Sequence, residues 1–354
     1  MRVALSGYYG FGNHGDEALL AGLVAGLRVR DHEPLVLSAD PEATRALHGV
    51  EARSRTRGLP TALLSVDAVV SGGGGLLQDV TSGRSLVYYL ATVRLARILG
   101  KRTIVYGQSV GPLSPRGRTW VRYALAGVPV SVRDAPSERL LAELGIASAR
   151  TADAALLAPA AAPSHGAESG GRDPDARASF PSYAGPSSAS APEPTVLVPR
   201  AGYPAHTAAL SSVAVRLRAD GAPVRVVAFH PGPDASEARA IQDAAAGASV
   251  HVPSTWWEAR QLVATARAVA STRLHALIFA AGAGVPHAGL VYDPKVEGFL
   301  RESRGLALHD PIDVDALHRA LVEPTQPPAD ARDRLVARAE GGLDWLDAAL
   351  RRAT

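Results

Sequence analysis

Arg273 and His275 stand two positions apart in STRLHALIFAAGAGVP, residues 271–286, where almost everything that follows is apolar. Arginine can fork onto a phosphate or carboxylate, and histidine is the side chain best suited to exchange a proton near neutral pH. The preceding ARAVAS reads as a buried strand and LHALIFAAGAG as a buried helix ending at glycine, with Thr272 as a cap. Both polar residues then fall in a first helical turn, where backbone N–H groups are unpaired and the dipole favours an anion. Further on, VYDPKVEGF sets Lys295 just after the next strand, and Arg133 closes the strand of SVRD. Three cations and one proton donor suit a small, highly charged molecule. The structural alternatives are an Arg133–Asp134 pair that only holds a turn, and a histidine that is simply part of a core.

The first loop offers a competing chemistry. GFGNHG, residues 10–15, matches G-x-G-x-x-G between a strand and a helix, and Asp40 ends the next strand as a ribose-binding acid does. Asp16 and Glu17, however, occupy the helix end where a pyrophosphate would sit, and their charge opposes a dianion. The loop therefore reads as a tight turn capped by Asn13 or Asp16, or as a place where Asp16 or Glu17 meets sugar hydroxyls. Two other features carry the same ambiguity. Gly72–Gly75 can cradle an anion or let a strand pack tightly on a helix, and Trp256 with Trp257 can stack on a sugar or pack a loop. Gln108 is a further polar residue at a strand end. His14, His206 and His230 have no metal-ligand spacing, and the absence of cysteine excludes disulfides and thiolate metal sites.

These residues need a scaffold, and the pattern supplies one. The 354 residues suggest two domains of roughly 150 residues each. Short β-rich runs alternate with helical patterns throughout, which implies parallel sheets covered on both faces. We therefore expect an α/β protein of two Rossmann-like domains facing a cleft, a GT-B-like arrangement. The N-terminal domain covers 1–158 and the C-terminal one 195–354 with its terminal helix. Residues 159–194, rich in Ala, Ser, Pro and Gly, read as a flexible linker or loop. Net charge is only +3, and 35 of the 37 basic residues are arginines without a basic run, so nucleic acid is not an expected partner. With no apolar stretch of spanning length and no signal-peptide core, the expected location is the cytoplasm. The basic stretch EARSRTRGLP approaches a membrane or stays a solvated loop.

In the order GYYGFGNHGDEALL, SGGGGLLQD, YGQSVGP, SVRDAPS, TADAALL, STRLHALIFAAGAGVP and YDPKVEGF, the sequence resembles the polysaccharide pyruvyl transferase family. It is most similar to the bacterial cell-wall branch whose product anchors S-layer proteins. The resemblance implies phosphoenolpyruvate as donor and transfer of pyruvate as a 4,6-ketal onto N-acetylmannosamine of a lipid-linked glycan. Neither a cofactor nor a metal is implied, and the acceptor brings transient contact with the inner membrane leaflet. Carried over, the catalytic residues are His275, Arg133 and Lys295, and the donor-binding ones Arg273, His275, Lys295 and Gly282. Asn13, Asp16, Glu17 and Gln108 are the acceptor-binding or base candidates. Two other readings remain: a GT-B glycosyltransferase using a nucleotide sugar, and a non-catalytic glycan- or anion-binding protein.

Overall fold

The computed structural model describes residues 1–80, 83–159 and 193–352. The linker expected at 159–194 lies almost entirely outside the described residues. The chain forms two units. Within the described residues, the first holds Met1–Phe11, residues 16–159 and the end of the chain from Val336, and the second holds Gly12–Gly15 and residues 193–335.

In the first unit, β1 (Arg2–Ser6), β2 (Glu33–Ser38), β3 (Glu51–Ser54), β4 (Ala68–Leu77), β5 (Arg102–Val110), β6 (Val130–Val132) and β7 (Ala149–Arg150) form one sheet. Their order is β3-β2-β1-β4-β5-β6-β7, and every pairing is parallel. The connecting helices are α1 (His14–Val29), α2 (Pro41–His48), α3 (Leu59–Leu64), α4 (Gly83–Ile98), α5 (Pro115–Leu125) and α6 (Ala135–Glu143). Leu86, Leu90 and Val93 of α4 and Val121 and Leu125 of α5 bury themselves against Val105, Val130 and Val132.

In the second unit, β8 (Thr195–Val198), β9 (Val224–Val227), β10 (Ser249–His251), β11 (Ala268–Ser271), β12 (His287–Leu290) and β13 (Leu306–Leu308) form a parallel sheet. Its order is β10-β9-β8-β11-β12-β13. The helices are α7 (Pro204–Ala219), α8 (Pro231–Ala244), α9 (Trp256–Ala264), α10 (Leu274–Ala283), α11 (Pro294–Ser303) and α12 (Val314–Val322), followed by the start of α13 (Ala329–Arg351). Residues 276–283 of α10 are all buried, as expected of a helix that is apolar on every side. In both sheets the strand order reverses beside the first strand, the Rossmann-like arrangement, whose ligands sit outside the carboxyl ends of the strands at that point.

Two expectations change and one open alternative narrows. The terminal helix does not belong wholly to the second domain: from Val336 it is part of the first unit. There Leu343 lies where a Cβ on Gly26 would reach, and Asp344 and Asp347 bond Arg30 and His32 at 2.6 and 2.7 Å. Of the two uses open to Gly72–Gly75, the structure shows close packing, because the run continues β4. Gly73 and Gly74 have φ of 65° and 84°, which kinks the strand, and a Cβ on Gly73 would come 2.2 Å from Leu19 of α1. The glycines thus let strand and helix close on each other. Finally, EARSRTRGLP is not a loop throughout, because Glu51–Ser54 is edge strand β3, where Arg53 pairs with Glu51 at 2.9 Å. Arg55 lies 4.0 Å from the Tyr88 ring centroid.

Candidate functional site

The second unit gathers its charge at the carboxyl ends of β8, β9, β11 and β12. Ser271 ends β11, and its hydroxyl accepts the Arg273 N–H at 2.8 Å and donates to the Arg273 carbonyl at 2.9 Å. That hydroxyl fixes a tight strand-to-helix turn. Arg273, not Thr272, is the N-cap residue of α10, and it makes no side-chain cap. Thr272 is fully buried with its hydroxyl unpartnered among the described residues. The first N–H groups of α10 therefore lack a side-chain acceptor and remain suited to an anion.

Arg273 turns its guanidinium onto Asp234 in a two-point fork, with Nε donating at 2.8 Å. Asp234 is fully buried and also accepts the backbone N–H groups of Ala201 at 3.1 Å and His230 at 3.0 Å. One carboxylate thus ties together the ends of β8, β9 and β11. Four hydrogen bonds offset the large cost of burying its charge. Nη1 of Arg273 is the guanidinium nitrogen left outside the fork.

His275 is the second residue of α10, and its ring packs against Gly15. A Cβ on Gly15 would fall 2.2 Å from both Cγ and Nδ1 of the imidazole. Asn13 accepts the Gly15 N–H at 3.1 Å, and His14 Nε2 donates to the Pro253 carbonyl at 2.9 Å. The NHG of the first loop is therefore a seat for His275.

Lys295 donates to Asp293 at 2.9 Å, and its Nζ lies 5.8 Å from the Tyr292 ring centroid. The guanidinium of Arg200, just past β8, sits 4.4 Å from the same ring and bonds the Tyr292 hydroxyl. Tyr203 is 4.7 Å from Tyr292. Burial raises the Tyr203 phenol above its ordinary range, with the Arg200 and Lys295 charges opposing the shift. Arg200 has no carboxylate partner among the described residues.

The first unit holds its polar residues differently. Arg133 is buried, bonds Asp153, and donates through Nε to Ser109 at 2.8 Å, while Ser109 donates to Asp134 at 2.6 Å. Burial works against its charge, but Asp153, Asp134 and Asp16 outweigh it and hold its pKa above the ordinary value. Glu17, 3% exposed, accepts the Gly10 N–H at 2.8 Å and bonds His48 Nε2 at 2.9 Å. Gln108 is fully buried in β5, donating to Ser71 at 3.0 Å. Asp16 lies beside the glycine run, 3.2 Å from where a Gly74 Cβ would be. Gly282 is buried near the far end of α10, about 10 Å along the helix from His275.

Residues 13–294 match the family model for polysaccharide pyruvyl transferase. The chain belongs to the polysaccharide pyruvyl transferase family. The match ends one residue before Lys295 and includes the other candidate site residues, from Asn13 to Gly282. No curated protein matches the chain. Among solved structures, a Listeria monocytogenes protein assigned as a UDP-N-acetylglucosamine 2-epimerase superposes with TM-score 0.61 at 11% identity, covering 98% of this chain and 93% of that one. A Rickettsia africae glycosyltransferase gives 0.57 at 11% identity, covering 99% and 96%. Acinetobacter baumannii MurG gives 0.50 at 12% identity, covering 99% of both chains. At such identities these likenesses establish the fold, two parallel-sheet Rossmann-like domains of the GT-B class. A polysaccharide-modifying transferase thus stands on a glycosyltransferase scaffold.

Sequence reasoning missed Asp234 and, although Arg200 stands out among the polar residues that follow strands, did not place it in the site. Asp234 stands in the first turn of α8, where an acid ordinarily complements the helix dipole, so nothing in HPGPD marks it as a partner for an arginine. Arg200 was visible as a strand-end cation in VPRAG, but its tyrosine platform comes from two separate loops. Among the described residues, no cluster of three or more His, Asp or Glu side chains is arranged to hold a metal ion. No helix among them is long and apolar enough to cross a membrane.

Proposed function

We propose that the protein transfers pyruvate from phosphoenolpyruvate to N-acetylmannosamine of a lipid-linked cell-wall glycan, forming a 4,6-ketal and releasing phosphate. The observation that carries the reading is the start of α10, where His275 stands among uncapped N–H groups beside an arginine locked in place by a buried carboxylate. The donor brings a phosphate and a carboxylate. Helix N–H groups, Arg273 Nη1, Lys295 and Arg200 are the groups available to receive them.

His275 delivers a proton to the methylene carbon, which becomes a methyl group and leaves C2 oxocarbenium-like. One sugar hydroxyl adds to C2 and returns its proton to the imidazole. Cleavage of the C2–O bond then expels phosphate, the second hydroxyl closes the ketal at C2, and its proton leaves with the phosphate. Negative charge grows on the departing phosphate oxygen, so N–H groups and cations aimed at that oxygen contribute more in the transition state than in the ground state.

Calorimetric titration with phosphoenolpyruvate and with UDP-sugars tests the donor. Phosphoenolpyruvate is expected to bind wild type, and His275→Ala is expected to lower ketal formation by about 10²–10⁴-fold without changing the melting temperature. Near wild-type turnover in that variant, or binding of a UDP-sugar alone, would overturn the reading.

A further inference from the structure

Helices α4 and α5 turn apolar side chains outward. In α4 the exposed Val87, Ala91, Leu95 and Ile98 are spaced by four, four and three residues, which places them on one stripe. In α5 the exposed Arg116, Trp120 and Tyr123 follow the same helical spacing. Ile98 is 74%, Tyr123 67% and Trp120 46% exposed, whereas the outward face of a surface helix is ordinarily polar. The two helices pack on each other, and Arg94 of α4 joins the stripes. Its guanidinium lies 4.1 Å from the Tyr123 ring centroid and donates to the Tyr123 hydroxyl at 3.0 Å.

Their charge is one-sided. The two helices carry Arg84, Arg94, Arg97, Arg116, Arg118 and Arg122, and neither contains an aspartate or glutamate. Arg118 pairs with Glu143 of α6, and Arg97 donates to the Ala126 carbonyl beyond the end of α5 at 2.9 Å. Arg84, Arg116 and Arg122 have no carboxylate partner among the described residues.

We propose that the outer faces of α4 and α5 dock the protein on an anionic lipid bilayer. Tryptophan and tyrosine favour the membrane–water boundary, the aliphatic stripe enters the acyl edge, and the arginines meet anionic headgroups. A symmetric second copy would set these arginines against each other. Nucleic acid would leave Val87 and Ile98 without a role. The proposal is independent of the transfer chemistry above.

Cosedimentation of the full chain with phosphatidylcholine vesicles, with and without phosphatidylglycerol, tests it at low and high salt. Binding is expected to require phosphatidylglycerol and to weaken with salt. It should fall about tenfold or more in Ile98→Ser/Trp120→Ser/Tyr123→Ser and in Arg94→Gln/Arg116→Gln/Arg122→Gln. Should the first variant melt early, acyl-chain bromine quenching of wild type reads insertion directly, and the quenched fraction should vanish in Trp120→Phe. Vesicle binding that is absent, or equal in wild type and both variants, would overturn the proposal. So would a dimer that only the apolar substitutions dissociate, or DNA binding without vesicle binding.

Discussion

Both sheets end in charge, but the two ends dispose of it in opposite ways. In the first unit Arg133 is held by Asp153 and Ser109, and Glu17 by Gly10 and His48. Their side chains are 5% and 3% exposed, so these groups fix turns from within. In the second unit Arg273 and Lys295 are also paired, yet their side chains keep 14% and 18% exposure, and Arg200 rests on tyrosine rather than on a carboxylate. Buried pairs of the first kind organise a loop. Cations of the second kind keep capacity for an incoming anion.

Cutting both networks separates these roles most sharply. Arg133→Gln strands the Asp153 carboxylate and should cost about 3–5 kcal/mol in urea unfolding, with donor affinity unchanged once the protein is folded. Asp234→Ala should cost a similar amount and additionally weaken phosphoenolpyruvate binding, because Arg273 loses its fork. If Arg133→Gln instead kept its stability and lost donor binding, the contrast between the two ends would collapse.

A milder probe is Lys295→Gln. On the proposed reaction, losing one partly exposed cation should raise the apparent KM for phosphoenolpyruvate roughly tenfold with a smaller change in kcat, as expected of an ammonium that contacts the donor equally before and during reaction. An unchanged KM would assign Lys295 to the cap of α11 alone.

The smallest effect compares the two ends of one sheet. At the amino end of β12, His287 Nδ1–H donates to the Val285 carbonyl at 2.9 Å, and Nε2 accepts from Ser303 at 2.8 Å. Burial lowers its pKa below 6.5, against the opposing hydrogen bond to Val285. As pH falls past about 6.5 the unfolded chain takes up this proton first, so the contribution to stability is full above that pH and is lost toward the lower folded value. Chemical denaturation between pH 8 and 5 should show this slope in wild type, at most about 1.4 kcal/mol per pH unit, and a shallower one in His287→Gln.

The alternation of β-rich and helical segments was legible because both sheets are parallel and buried, which writes apolar strands directly into the chain. The first turn of α10 was legible for a similar reason, since an arginine and a histidine stand out against a helix that is otherwise apolar. Asp234 was hidden by the ordinariness of an acid in a first turn, and the glycine run by the two equally physical uses of glycine. Helix α5 escaped because its outward Trp120 and Tyr123 blur the amphipathic pattern. The fate of the terminal helix was not local information at all: Leu343, Asp344 and Asp347 find their partners at Gly26, Arg30 and His32.

Gly15 joins the two halves of the sequence into a single inherited character. Its missing Cβ is the space in which the imidazole ring of His275 lies. A chain that placed any larger residue there would have to move or abandon that ring, so the two positions can diverge only as a pair. What looks like the last glycine of a nucleotide motif is a vacancy kept for a histidine encoded in the other half of the gene.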